Sequence, residues 1–190
     1  MSQEIIRSLI NDSLGAQKSI YDSIPLIEKA SHMIIEAIKK GNKLLICGNG
    51  GSAAQAQHFT AELVGRFEAE RKGLPCISLT VDTSNLTALS NDYGYEVVFA
   101  RQVEALGNPG DILIGLSTSG NSGNILRTIE KARERNMQVI NLLGRDGGKM
   151  KGLGEVDLIV PVQNTARIQE VHILILHILA KLIEDEFVAN

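Results

Sequence analysis

The sequence predicts a layered α/β domain, with a parallel β-sheet covered by helices on both faces and a helical extension in front of it. Two observations carry this reading. Apolar runs rich in Ile, Leu and Val recur at residues 43–47, 74–81, 111–116, 138–143 and 156–162 without strict polar alternation, as expected of strands buried on both faces of a parallel sheet. Helical patterning fills most of the intervals, at 52–67, 97–106 and 121–135. Strands alternating with helices imply right-handed crossovers and a helix–sheet–helix arrangement.

The extension comprises residues 1–41, ahead of an α/β core at 42–190, and the whole reads as one domain. Ile6, Leu9, Ile10 and Leu14 recur at helical spacing, and Ile20 and Tyr21 prolong the stripe. Pro25 marks a break, and Ser23 is a plausible cap for a second helix carrying Ile27, Ala30, Met33, Ile34 and Ile38, with Gly41 ending it. These helices need a surface to cover, either on their own subunit or on another. A long apolar helix is expected at 165–187.

Charged residues make up 22% of the chain, hydrophobic residues 44%, and the net charge is −3. That balance argues against a nucleic-acid partner, which asks for a basic face. No apolar stretch is long enough to span a membrane, so no membrane association is expected. The first residues lack the basic-then-apolar pattern of a secretory signal. Cys47 and Cys76 sit singly in apolar runs and read as buried free thiols of a reducing compartment. The expectation is a soluble, cytoplasmic protein.

Ligands of such sheets bind outside the carboxyl ends of the strands, so the loops that follow them are where chemistry is expected. The first strand runs into Gly48-Asn49-Gly50-Gly51-Ser52-Ala53. Glycines allow close approach of a ligand, and Ser52 is positioned to cap a helix whose free N–H groups favour an anion. Three readings fit: a phosphate or sugar site, a dinucleotide site (Gly48, Gly50 and Ala53 match G-x-G-x-x-A, with Asp82 as a ribose partner), or a bare tight turn. The third strand ends in Ser117-Thr118-Ser119-Gly120-Asn121-Ser122. One hydroxyl would suffice as a cap, and the surplus suggests a cradle for phosphate oxygens. The lysine of a triphosphate loop is missing, which favours a monophosphate.

His58 and Glu62 are four residues apart on a predicted helix and share a face. By spacing alone they are a proton-transfer couple, two metal ligands or a solvated polar patch. Gln169 and His177 lie on one side of the last helix, where a lone histidine is more often a core or interface residue; His172 points elsewhere and reads as packing or as a support behind the site, not as a catalytic group.

In order along the chain, CGNGGSAAQAQHFTAEL, LSTSGNS and TARIQEVHILILH resemble the phosphoheptose isomerase family, within the sugar-isomerase (SIS) domain superfamily. The resemblance covers almost the whole chain. It implies a three-layer α-β-α sandwich of flavodoxin-like type with a five-stranded parallel sheet. It also implies a homotetramer whose active sites draw on more than one subunit, and isomerisation of sedoheptulose 7-phosphate to D-glycero-D-manno-heptose 7-phosphate, the first step of ADP-heptose synthesis for lipopolysaccharide or another surface glycan. By carry-over, the phosphate rests on Ser117, Thr118, Ser119 and Ser122, and the sugar meets Asn49, Gly50, Gly51, Ser52, Asn91, Asp92 and Gln169. Glu62 is the base at carbon and His177 the acid/base at oxygen. Desolvation near an apolar helix interface would raise the Glu62 pKa and suit it to that task. Some members hold zinc at the positions of His58, Glu62, Gln169 and His177. Some also carry an acidic residue where this chain has Ala166, so no auxiliary carboxylate is expected there.

Three other readings share parts of these features. A non-enzymatic relative that binds the bacterial replication-initiator protein resembles the SAA-x-AQHF and ARIQE stretches, but lacks the counterparts of Glu62 and His177. Other sugar-phosphate enzymes of the superfamily would use the same serine loop. A nicotinamide oxidoreductase would use the glycine loop alone.

Overall fold

The computed structural model describes residues 1–188. Five parallel strands, β1 (Leu44–Gly48), β2 (Cys76–Ser78), β3 (Ile112–Ser117), β4 (Gln138–Gly144) and β5 (Val156–Val160), form one sheet in the order β2-β1-β3-β4-β5. Every residue of β1 and β3 is buried, so these central strands consist of apolar or small residues throughout. β5 lies at an edge and alternates buried with half-buried positions.

Helices α1 (Ser2–Lys18), α2 (Ile24–Lys39), α3 (Gly51–Val64) and α7 (Thr165–Phe187) pack on one face, where Ile34, Phe59, Leu63, Ile175 and Leu179 join Ile46 and Ile114 of the sheet. On the other face, α5 (Val98–Leu106) and α6 (Gly123–Glu134) pack Val98, Phe99, Ile125 and Ile129 against Leu45, Leu113 and Val139. The short α4 (Thr83–Tyr93) contributes only Leu86 and Leu89, both half-buried, to that second core.

Several local expectations change. The run at 74–81 is a strand only over Cys76–Ser78. Leu79 makes one more ladder bond, to Ile46, and the chain then turns into α4, whose cap is Asp82: its carboxylate accepts from Asn85 N at 3.0 Å. Asp82 is therefore a helix cap, not the ribose partner of a dinucleotide site. Ser23 occupies the residue before α2, but among the described residues no bond from its hydroxyl caps the helix; Pro25 in the first turn removes one of the amides that a cap would serve. Ser52 is not the cap of α3 either. The helix begins one residue earlier, with Gly50 ahead of it at φ 55°, and the Ser52 side chain is buried beneath the turn. The helix expected over 52–67 stops at Val64, and the one expected over 121–135 starts at Gly123.

The N-terminal stripe divides. α2 buries Ile27, Ala30 and Ile34 on its own subunit, whereas α1 buries only Ala16 and leaves Ile6, Leu9, Ile10 and Leu14 about half exposed. Met33 and Ile38 are half-buried against the core. Both cysteines are buried free thiols, and burial pushes the Cys76 thiol up to about 12. Among the described residues no helix is long and apolar enough to cross a membrane.

Candidate active site

The carboxyl ends of β1 and β3 are neighbours, since Gly48 pairs with Leu116, and this adjacency brings the glycine loop and the serine loop together. Asn49 bridges them. Its amide donates to Asn124 Oδ1 at 2.9 Å and its carbonyl accepts from Asn124 Nδ2 at 2.8 Å, while the Tyr95 hydroxyl donates to the same Asn49 oxygen at 3.0 Å. Asn124 is buried in the first turn of α6, and its Oδ1 also accepts from Ile125 N. Neither Asn124 nor Tyr95 was singled out in the sequence. Each is one polar residue in a stretch with no motif, and only the reciprocal amide geometry discloses it.

The serine loop is organised from inside. Ser117 is buried, exchanges a hydrogen bond with Ser122 at 2.9 Å and accepts from Gly120 N at 3.1 Å. Ser119 Oγ accepts from Asn121 N at 3.2 Å. Thr118 is half-buried, and among the described residues its hydroxyl makes no bond to the protein. Gly120 adopts φ 64° directly against the carbonyl of Gly147, a contact that leaves no room for a Cβ.

A third element, α7, reaches the same end. Asn164 caps it, accepting from Ala166 N and Arg167 N. Gln169 in its second turn lies over the glycine loop: a Cβ at Gly51 would come within 2.5 Å of the Gln169 amide. Gln55 on α3 donates to the Gln169 carbonyl at 2.6 Å.

Two turns further along, His177 meets α3. Its Nε2 lies 3.1 Å from His58 Nε2, and His58 Nε2 lies 2.9 Å from Glu62 Oε1. The ligand atoms of His58, Glu62 and His177 all fall within 4.8 Å of one another. One proton on His58 cannot serve both neighbours. Nitrogen and oxygen donors about 2.0–2.1 Å from a tetrahedral zinc stand roughly 3.3 Å apart, so the spacing and the borderline-soft donor set both suit such an ion. Glu62 keeps 22% side-chain exposure and His58 48%, leaving the cluster open to a ligand.

His172 lies away from this cluster. It is fully buried, and its Nε2 bonds the Leu143 carbonyl at 3.0 Å; burial lowers its pKa to about 4, so it is neutral. His32 is exposed, 4.0 Å from Glu28. Asn91 and Asp92 stand exposed on the last turn of α4, bonded to each other at 2.9 Å.

A family model described as SIS domain matches residues 17–144. Phosphoheptose isomerase from Helicobacter pylori (strain P12) is 58% identical over 90% of this chain and 89% of its own length. The chain belongs to the phosphoheptose isomerase family. Another relative of that name, from Helicobacter hepaticus, is 54% identical over 97% of this chain and 94% of its own. Among solved structures, the phosphoheptose isomerase of Neisseria gonorrhoeae superposes with a TM-score of 0.91 at 44% identity, covering 97% of this chain and 100% of that one. That of Francisella tularensis gives 0.94 at 41%, covering 97% and 99%. The relatives' shared name is that of an aldose–ketose isomerase, so the chain belongs to a family of sugar-phosphate isomerases and not of nicotinamide oxidoreductases.

Proposed function

We propose that this enzyme converts sedoheptulose 7-phosphate to D-glycero-D-manno-heptose 7-phosphate by proton transfer through a cis-enediol, supplying ADP-heptose synthesis in the cytoplasm. One observation carries the reading: α3 and α7 bring Glu62 and His177 to a single point. The replication-initiator-binding relative lacks the counterparts of both residues, so a purely regulatory role does not account for them.

The chemistry follows from the groups present. The phosphate is held by Ser117, Thr118, Ser119 and Ser122 with the N-terminal end of α6, through neutral donors and the helix dipole. This fixes the far end of the substrate, while Asn49, Gly50, Gly51, Asn91, Asp92 and Gln169 receive the sugar and Ser52 supports the glycine loop from beneath. Glu62 removes the proton from the carbon beside the carbonyl and returns it to the neighbouring carbon. His177 exchanges a proton with the substrate oxygens, so that charge does not accumulate on the enediol. His58, His177, the Gln169 amide and one Glu62 oxygen are the groups that would hold zinc, which would polarise substrate oxygens while the other Glu62 oxygen is left for the proton.

The assembly is a homotetramer in this reading. Ile5, Ile6, Leu9, Ile10 and Leu14 of α1 together with Tyr21, Ile24 and Leu182 are exposed apolar side chains, more than a helix facing only water would carry.

The test compares wild type with Glu62→Gln on sedoheptulose 7-phosphate. Product from wild type and a loss of roughly a hundredfold or more in kcat for the variant match a general base. A folded wild-type oligomer that yields no aldose, with or without Zn2+, refutes the reading.

A further inference from the structure

Behind the site, where solvent does not reach, lies a charge pair that the proposed chemistry does not use. The side chains of Arg71 and Glu184 are both fully buried, with Nε and Oε1 3.3 Å apart. Glu184 is on α7, seven residues beyond His177, and therefore on much the same face of that helix. Its carboxylate accepts from three consecutive amides of the segment that follows α3: Phe67 N at 2.8 Å, Glu68 N at 2.7 Å and Ala69 N at 2.8 Å. Arg71 works in the other direction. It donates to the carbonyls of Glu62 at 2.6 Å, Leu63 at 2.8 Å, Gly65 at 3.2 Å and Lys72 at 3.1 Å. The last turn of α3 leaves carbonyls without helical partners, and the bonds to Glu62 and Leu63 satisfy two of them.

The two residues thus tie the end of α3, through the residue that carries the catalytic carboxylate, to the helix that carries His177. They also shape the segment that delivers Phe67, whose ring lies 5.6 Å from the His177 imidazole, centroid to centroid, at a tilt of 34°. A buried ion pair is a poor device for stability, since well-packed apolar residues of similar volume often serve as well or better. Its value here is geometric.

We propose that Arg71 and Glu184 are positioning residues of the isomerase: their clasp sets Glu62 and the Phe67 ring against His177, so that the α3 and α7 halves of the site meet in register. The clasp acts through Glu62 and Phe67 and touches no substrate. The serine loop belongs to β3 and α6, so phosphate binding is independent of it. This inference rests on the isomerase reading for its kinetic consequence, but not for its geometric one.

The experiment compares wild type, Arg71→Lys and Phe67→Leu, each assayed well below its own melting temperature. Lysine keeps the charge but cannot supply the fan of donors. In Arg71→Lys, kcat is expected to fall roughly tenfold or more, as misplacement of catalytic groups does, with KM changed by less than about twofold because substrate binding at the serine loop is untouched. Phe67→Leu leaves the pair in place and should lower kcat in the same direction with its melting temperature kept, which decides the matter if Arg71→Lys does not fold. On histidine-labelled protein, the ring-current shift that Phe67 imposes on the His177 imidazole protons should fall in Arg71→Lys toward the value set by Phe67→Leu, which has no ring and serves as the zero. A merely structural clasp would lower the melting temperature of Arg71→Lys and leave kcat per folded molecule and the His177 shift at wild-type values, and that outcome overturns the proposal. If wild type itself turns over no sedoheptulose 7-phosphate, the isomerase reading fails, and the His177 shift alone decides the clasp.

Discussion

The Nε2 atoms of His58 and His177 face each other at 3.1 Å, and the same His58 nitrogen lies 2.9 Å from Glu62 Oε1. Three lone-pair donors from two helices thus converge on one point with fewer protons than the contacts require. A divalent ion would resolve this by accepting all of them. Wild type is expected to take up one Zn2+ per chain, and saturation at about a hundred to a thousand times Kd should stabilise it by about 3–4 kcal/mol. Metal analysis after dialysis and thermal melts with and without Zn2+ check this. His58→Ala should lose both the bound metal and the shift; a wild type that retains no zinc would sink the idea.

The serine loop contains two kinds of hydroxyl, and they should respond differently to truncation. Ser117 is buried and holds Gly120 N and Ser122 in place, so Ser117→Ala damages the loop itself. Thr118 is half-buried, and among the described residues its hydroxyl has no protein partner. Thr118→Val preserves its shape, so it should raise KM for the sugar phosphate roughly tenfold, the loss of one hydrogen bond to a charged group, with kcat and melting temperature little changed. Ser117→Ala should lower the melting temperature as well. Equal KM values for Thr118→Val and wild type would remove Thr118 from the phosphate site.

The layers of the fold were legible because burial on both faces forces continuous apolar runs. β1, β3, β4 and β5 fall within two residues of their expected bounds, and α7 coincides with its expected span. What sequence reading missed has a common cause. α4 (TSNLTALSNDY) carries no apolar stripe and is held by its Asp82 cap, so periodicity could not find it. The Tyr95–Asn49, Asn124–Asn49 and Arg71–Glu184 contacts join residues 46, 75 and 113 positions apart, and neither partner stands out alone. The His58–Glu62 pair was readable from its spacing of four, whereas its meeting with His177 depended on how α3 packs on α7.

Asn124 shows how much such a hidden contact holds. Asn124→Ala removes both halves of the reciprocal amide pair and leaves Asn49 with only the Tyr95 hydroxyl among its side-chain partners. Asn49 is half-buried, so leaving its amide short of partners costs about 1 kcal/mol, the low end for such a loss, which in a chain of this size lowers the melting temperature by roughly 2–4 °C. Because Asn49 links the glycine loop to the serine loop, KM should rise too. A calorimetric scan and a Michaelis curve on the same preparation test both; an unchanged melting temperature would mean that the pair adds nothing to the fold.

His172 gives the fold a pH dependence whose sign can be worked out. Burial lowers its pKa from 6.5 to about 4, with the bond to the Leu143 carbonyl opposing the shift in part. In the unfolded chain the imidazole takes up a proton near pH 6.5, while the folded chain refuses it until about pH 4. The contribution is therefore fully present above pH 6.5 and is lost progressively as pH falls from there toward 4, by about 3 kcal/mol in all at about 1.4 kcal/mol per unit. Glu184 acts in the same direction at lower pH. Burial alone would raise its carboxyl pKa, but the amides of Ala69, Glu68 and Phe67 and the Arg71 charge hold it below the ordinary value, so its contribution also fades as acid protonates it. Denaturant midpoints measured at pH 7.5 and pH 5 should therefore differ more in wild type than in His172→Gln, which has no proton to gain; parallel pH dependence in the two proteins would assign the acid sensitivity to the carboxylates alone.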